Sequence, residues 1–365
     1  MNNFKKVGLT ALAGSLVAFS AHAGELTVTG GANLTHKWGS TTKSGGVTGK
    51  SLGMDKDVAF TGSGELDNGT TFSFFTATTD TQADLSSGAM TISTPSFGSF
   101  LFGHNSGAGH YKYDEEVPTA YEQISDIDLT LPINKVGDFM DNNHVTYTSP
   151  TFDLAGASIT LDVGYATDAN DTETGDGGVA KKGHKAFGSG QELGLTIGYD
   201  ALKIGAYVAE RENLLSGAAG TDAATDEFNG VWYAKYSFGP VAVGYSQGYM
   251  DSGVTETAPV ATDSAKTHRT AGGFYESTQM GIAFNVNDNL SVSYSESTST
   301  YDAQSHIKSG SAQTADVDQE IDSIQVAYSM GGMSIKAYQM EVTNPLHDED
   351  ADDRKITEIA LGLAF

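Results

Sequence analysis

The chain has 365 residues, 44 glycines and no cysteine, and 20 Lys+Arg against 46 Asp+Glu give a formal net charge of −26. Without thiols there is no disulfide framework, thiolate metal site or cysteine nucleophile, and the negative charge repels nucleic acid. The length fits two or three soluble domains or one large barrel, so the choice falls to the pattern along the chain.

The first element is a leader. Lys5-Lys6 form a positive start, Val7 to Ser20 is largely apolar, and Ala21-His22-Ala23 has the small-x-small form of a cleavage site before Gly24. A lone inner-membrane helix is the structural alternative, but the stretch is short and abuts a polar, alternating segment. Residues 1–23 are therefore expected to be a cleaved signal peptide, and 24–365 a single mature domain. Nothing after residue 23 is long and apolar enough for a spanning helix, so a mature membrane protein must here be a closed barrel.

Sixteen strands are expected in chain order, roughly 25–36, 53–66, 70–79, 88–95, 99–103, 143–150, 157–167, 191–200, 202–212, 226–238, 240–249, 269–286, 289–298, 320–330, 332–342 and 354–365. Their mark is period-two alternation, which sends successive side chains to opposite faces. Ile159, Leu161, Val163 and Tyr165 alternate with Thr160, Asp162 and Gly164, and Leu193, Leu195, Ile197 and Tyr199 alternate with Gly194, Thr196 and Gly198. The same device recurs at Val241-Val243-Tyr245, Met280-Ile282-Phe284-Val286, Leu290-Val292-Tyr294 and Ile324-Val326-Tyr328. A soluble sandwich would turn the apolar set inward, whereas a barrel in lipid turns it outward around a wet interior.

The connections separate these two folds. One set is short: Asp67-Asn68-Gly69, Ser96-Phe97-Gly98, Thr151 to Gly156, Ala201, Gly239, Asn287-Asp288 and Gly331. The other is long and polar, about 37–52, 80–87, 104–142, 168–190, 213–225, 250–268, 299–319 and 343–353. Such loops argue against a compact soluble domain, while short turns at one end and long loops at the other suit a transmembrane barrel. Phe228, Trp232, Tyr236, Phe238, Tyr199, Tyr245, Tyr294 and Tyr328 lie on outward parities, several near strand ends, as an interfacial girdle requires. The last segment ends inside a strand on Phe365, in phase with Ile359, Leu361 and Leu363, and is expected to pair with the strand starting at Glu25.

Three pieces carry a resemblance: Gly24-Glu25-Leu26-Thr27-Val28-Thr29-Gly30 after the leader, Ser96-Phe97-Gly98-Ser99-Phe100-Leu101-Phe102-Gly103 before the longest loop, and the terminal Phe365. The mature chain resembles a Gram-negative outer-membrane general porin of the 16-stranded trimeric family that includes the Rhodobacter-type and enterobacterial proteins. The resemblance implies an all-β antiparallel barrel in the outer membrane, a homotrimer, a third loop folded into the channel, and a terminal aromatic read by the barrel-insertion machinery. The Pro-Glu-Phe-Gly-Gly-Asp loop signature of the enterobacterial branch is absent from this chain.

Segment 104–142 is the expected constriction loop. Asp114, Glu115, Glu116, Glu122, Asp126 and Asp128 are its candidate pore carboxylates, with Asp138 and Asp141 further on, against only Lys112 and Lys135. Parity places Lys203, Lys235, Arg269 and Lys336 on the small and polar faces, as candidate pore-wall cations. Opposed acids and bases would set a transverse field across the opening, and an acidic excess would favour cations. The expected function is passive diffusion of ions and small hydrophilic solutes with modest cation preference.

No catalytic pattern stands out: the nine histidines form no His-Glu-x-x-His motif, and no glycine-rich segment has the strand-to-helix setting of a phosphate site. No cofactor is expected. Asp168-Ala169-Asn170-Asp171 and the run Asp348 to Asp353 offer oxygen ligands for weak calcium binding, but without the twelve-position spacing of a calcium hand they read more readily as solvated loop surface. A substrate-selective channel and a surface β-sandwich adhesin are the alternatives, the latter lacking protected sheet edges and an anchor.

Overall fold

The computed structural model describes residues 24–40, 51–78, 85–104, 106–107, 109–114, 116–124, 136–141, 143–169, 187–213, 226–251, 273–303, 316–347 and 351–365. The leader, Glu115, Asp126, Asp128 and Arg269 lie outside them, as do Asn170 and Asp171 and residues 348–350 of the two acidic runs. Among the described residues no helix is long and apolar enough to cross a membrane.

The ladder has seventeen segments in one sheet. They are β1 (Glu25–Ser40), β2 (Ser51–Glu65), β3 (Thr71–Thr78), β4 (Leu85–Thr94), β5 (Gly98–His104), β6 (His144–Thr148), β7 (Phe152–Leu154), β8 (Ala157–Ala166), β9 (Phe187–Tyr199), β10 (Leu202–Asn213), β11 (Glu227–Phe238), β12 (Val241–Asp251), β13 (Gly273–Asn285), β14 (Leu290–Ala303), β15 (Val317–Met330), β16 (Met333–Thr343) and β17 (Arg354–Ala364). Short β6 and β7 both pair with β8, so they are two halves of one stave and the barrel has sixteen. Pro150 sits in the interruption, where a residue without an N–H cannot join the ladder. The turn thus falls at Ala155-Gly156, both with positive φ, rather than across the whole of Thr151 to Gly156.

Each stave pairs antiparallel with its sequence neighbour, and β17 pairs with β1 from Gly31↔Ala364 to Ser40↔Lys355, which closes the cylinder. Phe365 completes the seam: its N–H donates to Gly30 O at 3.0 Å and its O accepts from Gly30 N at 2.9 Å. Short turns use left-handed residues where the chain needs them. At Gly98, with φ 79°, a Cβ would stand 2.2 Å from Thr148 O, so only glycine fits.

Several staves outlast the apolar alternation. β14 runs on to Ala303 and β15 starts at Val317, while outward positions change from Val292 and Tyr294 to Glu296, Thr298 and Thr300. Backbone pairing needs no apolar side chain, so the ladder rises above the lipid band where the hydrophobic pattern has stopped.

Phe74, Phe100, Phe102, Val163, Leu193, Trp232, Ile282, Ile324 and Leu363 are all exposed on the outer wall, the reverse of a soluble protein. All eight girdle candidates face outward with these, Trp232 and Tyr245 as a ring pair 5.5 Å apart. The apolar cores lie inside. Tyr113, Val136, Phe139 and Met140 pack on Tyr207, Val231 and Tyr233, and Ile124 packs on Ile321, Tyr338 and Met340.

After β16, a 3-10 turn at Pro345–His347 tucks His347 against Tyr275 and Tyr301, with Nε2 2.9 Å from Ser299 O. Burial pushes its pKa down to about 4. Below its ordinary value the unfolded chain binds a proton that the folded one refuses, so this group lowers stability as pH falls from 6.5 to about 4 and then levels off. Denaturant titration of wild type against His347→Gln should show the two curves diverging across that window, by at most about 3 kcal/mol; parallel curves would refute it. At the seam, a Gly30 Cβ would meet Asp57 O and Phe365 Cζ, each at 2.9 Å. Gly30→Val should therefore cost about 1–3 kcal/mol, read as a lower temperature for loss of the fast-migrating folded band.

Candidate functional site

The inward faces of the staves are hydrophilic, and the third long connection lies against them. It enters after β5 and first meets β8 and β9: Gly109 N donates to Glu192 Oε1 at 2.9 Å, and Tyr113 OH donates to Asp162 Oδ2 at 2.7 Å. Lys112 pairs with the same Asp162 and donates to Thr148 Oγ1 at 2.9 Å. Glu116 then reaches β10 and β11, its Oε2 3.3 Å from Lys203 Nζ and also paired with Lys235 Nζ.

Further along, the loop runs over glycines. A Cβ at Gly194 would stand 2.5 Å from Tyr113 Oη, one at Gly244 2.4 Å from Pro118 Cδ, and one at Gly281 2.4 Å from Val117 Cγ1 and 2.8 Å from Pro118 O. These inward glycines of β9, β12 and β13 form a shallow track in which the chain is seated. Beyond it, Ala120 N donates to Ser293 Oγ at 2.8 Å on β14. Gln325 on β15 takes both Tyr121 N and Glu122 N at 2.8 and 2.9 Å and returns a bond from Nε2 to Glu122 O at 2.7 Å. This amide acts like one more strand residue for a segment that has no strand partner.

Tyr121 OH donates to Glu358 Oε1 at 2.7 Å on β17, and Lys336 Nζ lies 4.5 Å from the centre of the Tyr121 ring. The returning arm ends near β10 and β11. Gly137 N donates to Asn229 Oδ1 at 3.0 Å. Phe139 stacks under the fully buried Arg211, whose guanidinium is 3.4 Å from the Phe187 ring centre, 2.5 Å from Glu227 Oε2 and 2.7 Å from Ala169 O. A charge so deep is tolerated because it is paired, hydrogen-bonded and stacked.

The contacts that seat the loop thus follow the wall from β8 round to β17. On the side of β1 and β2, the inward positions include Asn33, Asp55 and Asp57, with Asp55 opposite Asn33 and Asp57 opposite Gly31 in the ladder. Near the loop's stem, burial disfavours a charge on His110. The carboxylates of Asp141, Asp114, Asp138 and Glu192 outweigh that and raise its pKa, so the field there attracts positive charge.

Of the expected site residues, Glu116, Lys203 and Lys235 come together in one cluster, and Glu122 and Lys336 lie near one another around Tyr121. Asp114 is buried close to His110. Phe365 closes the seam. Sequence reasoning passed over Asp162, Glu192, Arg211, Glu227, Gln325 and Glu358. Each sits at an inward parity, where its charge or amide was legible and its partner was not.

A family model described as Gram-negative porin matches residues 8–213. The chain belongs to that family. The fold is shared with solved porins: OmpF of Salmonella typhi in complex with daunomycin (TM-score 0.68, 14% identity, 94% of this chain and 98% of that one covered) and a loop L8 deletion mutant of OmpT from Vibrio cholerae (0.63, 13%, 94% and 100%). The outer-membrane channel DcaP of Acinetobacter baumannii is similar as well (0.59, 12%, 96% and 100%). At such identities the likeness is one of fold and assigns the chain to neither the Rhodobacter nor the enterobacterial branch. No curated protein sequence matches the chain. This porin is accordingly an outer-membrane β-barrel of channel type.

The seating makes a prediction. In Gly281→Val the added methyls meet Pro118 O, which cannot swing aside as a side chain end can. The loop should lift, and limited proteolysis of the folded porin should cut within 104–142 at least several-fold faster than wild type. Equal cleavage would mean that the track does not hold the loop.

Proposed function

We propose that this porin is a water-filled channel for passive diffusion of ions and small hydrophilic solutes, weakly cation-selective, with 104–142 as its constriction. The observation that carries the reading is the loop's attachment along the inner wall from β8 to β17 through Asp162, Glu116, Gln325 and Glu358. A chain so fixed would narrow the lumen, and the inward side of β1 and β2 beside it carries Asn33, Asp55 and Asp57.

Electrostatics supports the cation preference. Lys203 and Lys235 share Glu116, Lys112 is held by Asp162, and Lys37 lies 4.0 Å from Glu358. Lys112 and Lys37 thus each have a carboxylate nearby and Lys203 and Lys235 share one, while Asp55 and Asp57 add negative charge on the inward side of β2, which favours cations and is screened as salt rises. Residues 1–23 serve as the export leader, Phe365 as part of the signal for insertion, and the assembled form is a homotrimer embedded in outer-membrane lipid.

Planar-bilayer recording of detergent-folded protein across a salt gradient tests this. Large, ohmic steps with a reversal potential on the cation side are expected, especially in threes. Asp57→Asn should lower the cation-to-anion permeability ratio about two-fold or more, and Glu116→Gln, which releases two lysines from one acid, should lower it further. Small steps blocked by one solute would replace this reading with a substrate-selective channel; verified insertion without steps would end it.

A further inference from the structure

The stem of the inward loop holds a donor set that the channel reading does not use. Two short 3-10 turns, Gly109–Lys112 and Asp138–Asp141, meet one another against β8 and β9, and bring His110, Asp138 and Asp141 together. One ring nitrogen and one carboxylate oxygen from each acid all lie within 4.8 Å of one another. His110 is only 1% exposed, and its Nδ1 has no hydrogen-bond partner among the described residues. A buried ring nitrogen in that state is a lost hydrogen bond unless something outside the protein completes it.

We propose that His110, Asp138 and Asp141 form a binding site for one first-row divalent cation of the zinc class, which joins the two stems of the loop. The chemistry follows from the donors. One imidazole nitrogen with two carboxylate oxygens suits a borderline metal, with waters in the remaining positions, better than the all-oxygen sets that calcium and magnesium take. Asp138 is exposed, so it can rotate onto an ion arriving from water, while His110 and half-buried Asp141 stay fixed. The Tyr111 hydroxyl donates to Asp141 Oδ2 and orients it, as outer-sphere donors orient metal-binding carboxylates. Glu192 is held by Gly109 N, Thr146 Oγ1 and Tyr207 OH, and contributes charge rather than a ligand atom.

The site acts on the stem and does not depend on the channel's selectivity, so calorimetry can test it apart from conductance. Zinc chloride is titrated into chelator-treated, detergent-folded porin, with folding verified by heat-modifiable migration. One site per chain is expected, weakened at least ten-fold by Asp138→Asn and by His110→Gln, and unchanged by His36→Gln on the outer wall. Because Asp138 is exposed, its variant carries the test even if His110→Gln fails to fold. Cobalt as a substitute should give visible absorption bands that Asp138→Asn abolishes. Zinc binding indifferent to Asp138→Asn would overturn the proposal, as would tighter binding of calcium at the same residues.

Discussion

Every backbone N–H and C=O in the lipid layer must find a partner within the protein, because hydrocarbon supplies none. The pairing of β17 with β1 answers that demand, and the rest of the molecule follows from it. Once the sheet is a cylinder, side-chain alternation leaves one apolar face for lipid and one face for the interior, and a central hydrophobic core is no longer available. Two of the apolar clusters, around Tyr113 and around Ile124, form where a loop is laid against the inner wall. The seam is also where little can change: Gly30 and Phe365 exchange both backbone bonds, and Gly30 has no room for a side chain beside it.

The inward loop obeys the same demand without the same means. Lacking a ladder, it is satisfied by side chains, and the wall presents them at the parity that faces the lumen. Gln325 supplies both an acceptor and a donor, Asp162 takes Tyr113 and Lys112 together, and Glu192 takes Gly109 N. Single contacts of this kind contribute only about 1 kcal/mol each, so the fixed position of the loop requires many of them spread over β8 to β17. The glycines of the track add what a hydrogen bond cannot, a close approach of two backbones.

Much of this architecture was legible in the sequence, because closure in a membrane imposes period two on the outer face and alternating short and long connections. The strands around Ile159 to Tyr165 and Leu193 to Tyr199 declare themselves by that rule alone. Where the rule lapses, boundaries shift: β14, expected to end near 298, continues to Ala303, since hydrogen bonding persists after lipid contact ends. Pro150 divides a stave for the opposite reason. At the site, parity set Lys203 and Lys235 apart from the apolar positions, yet their shared partner Glu116 lies more than eighty residues away and no local pattern encodes that pairing. Nothing local marks Arg211, since its partners Glu227, Phe187 and Phe139 come from three separate elements.

Two constraints therefore divide the work. Strand number sets the outer dimensions of the cylinder, and altering it means rebuilding the ladder. The loop lies inside that cylinder, and it is attached through side chains that can be exchanged without touching one backbone bond of the wall. Its middle is seated by shape at Gly244 and Gly281 and by charge at Glu116. Its stem is gathered by two short turns around His110. On the proposed function, a change at the middle would move the constriction directly. Both arms start at the stem, so an ion held by His110, Asp138 and Asp141 would tie them together there.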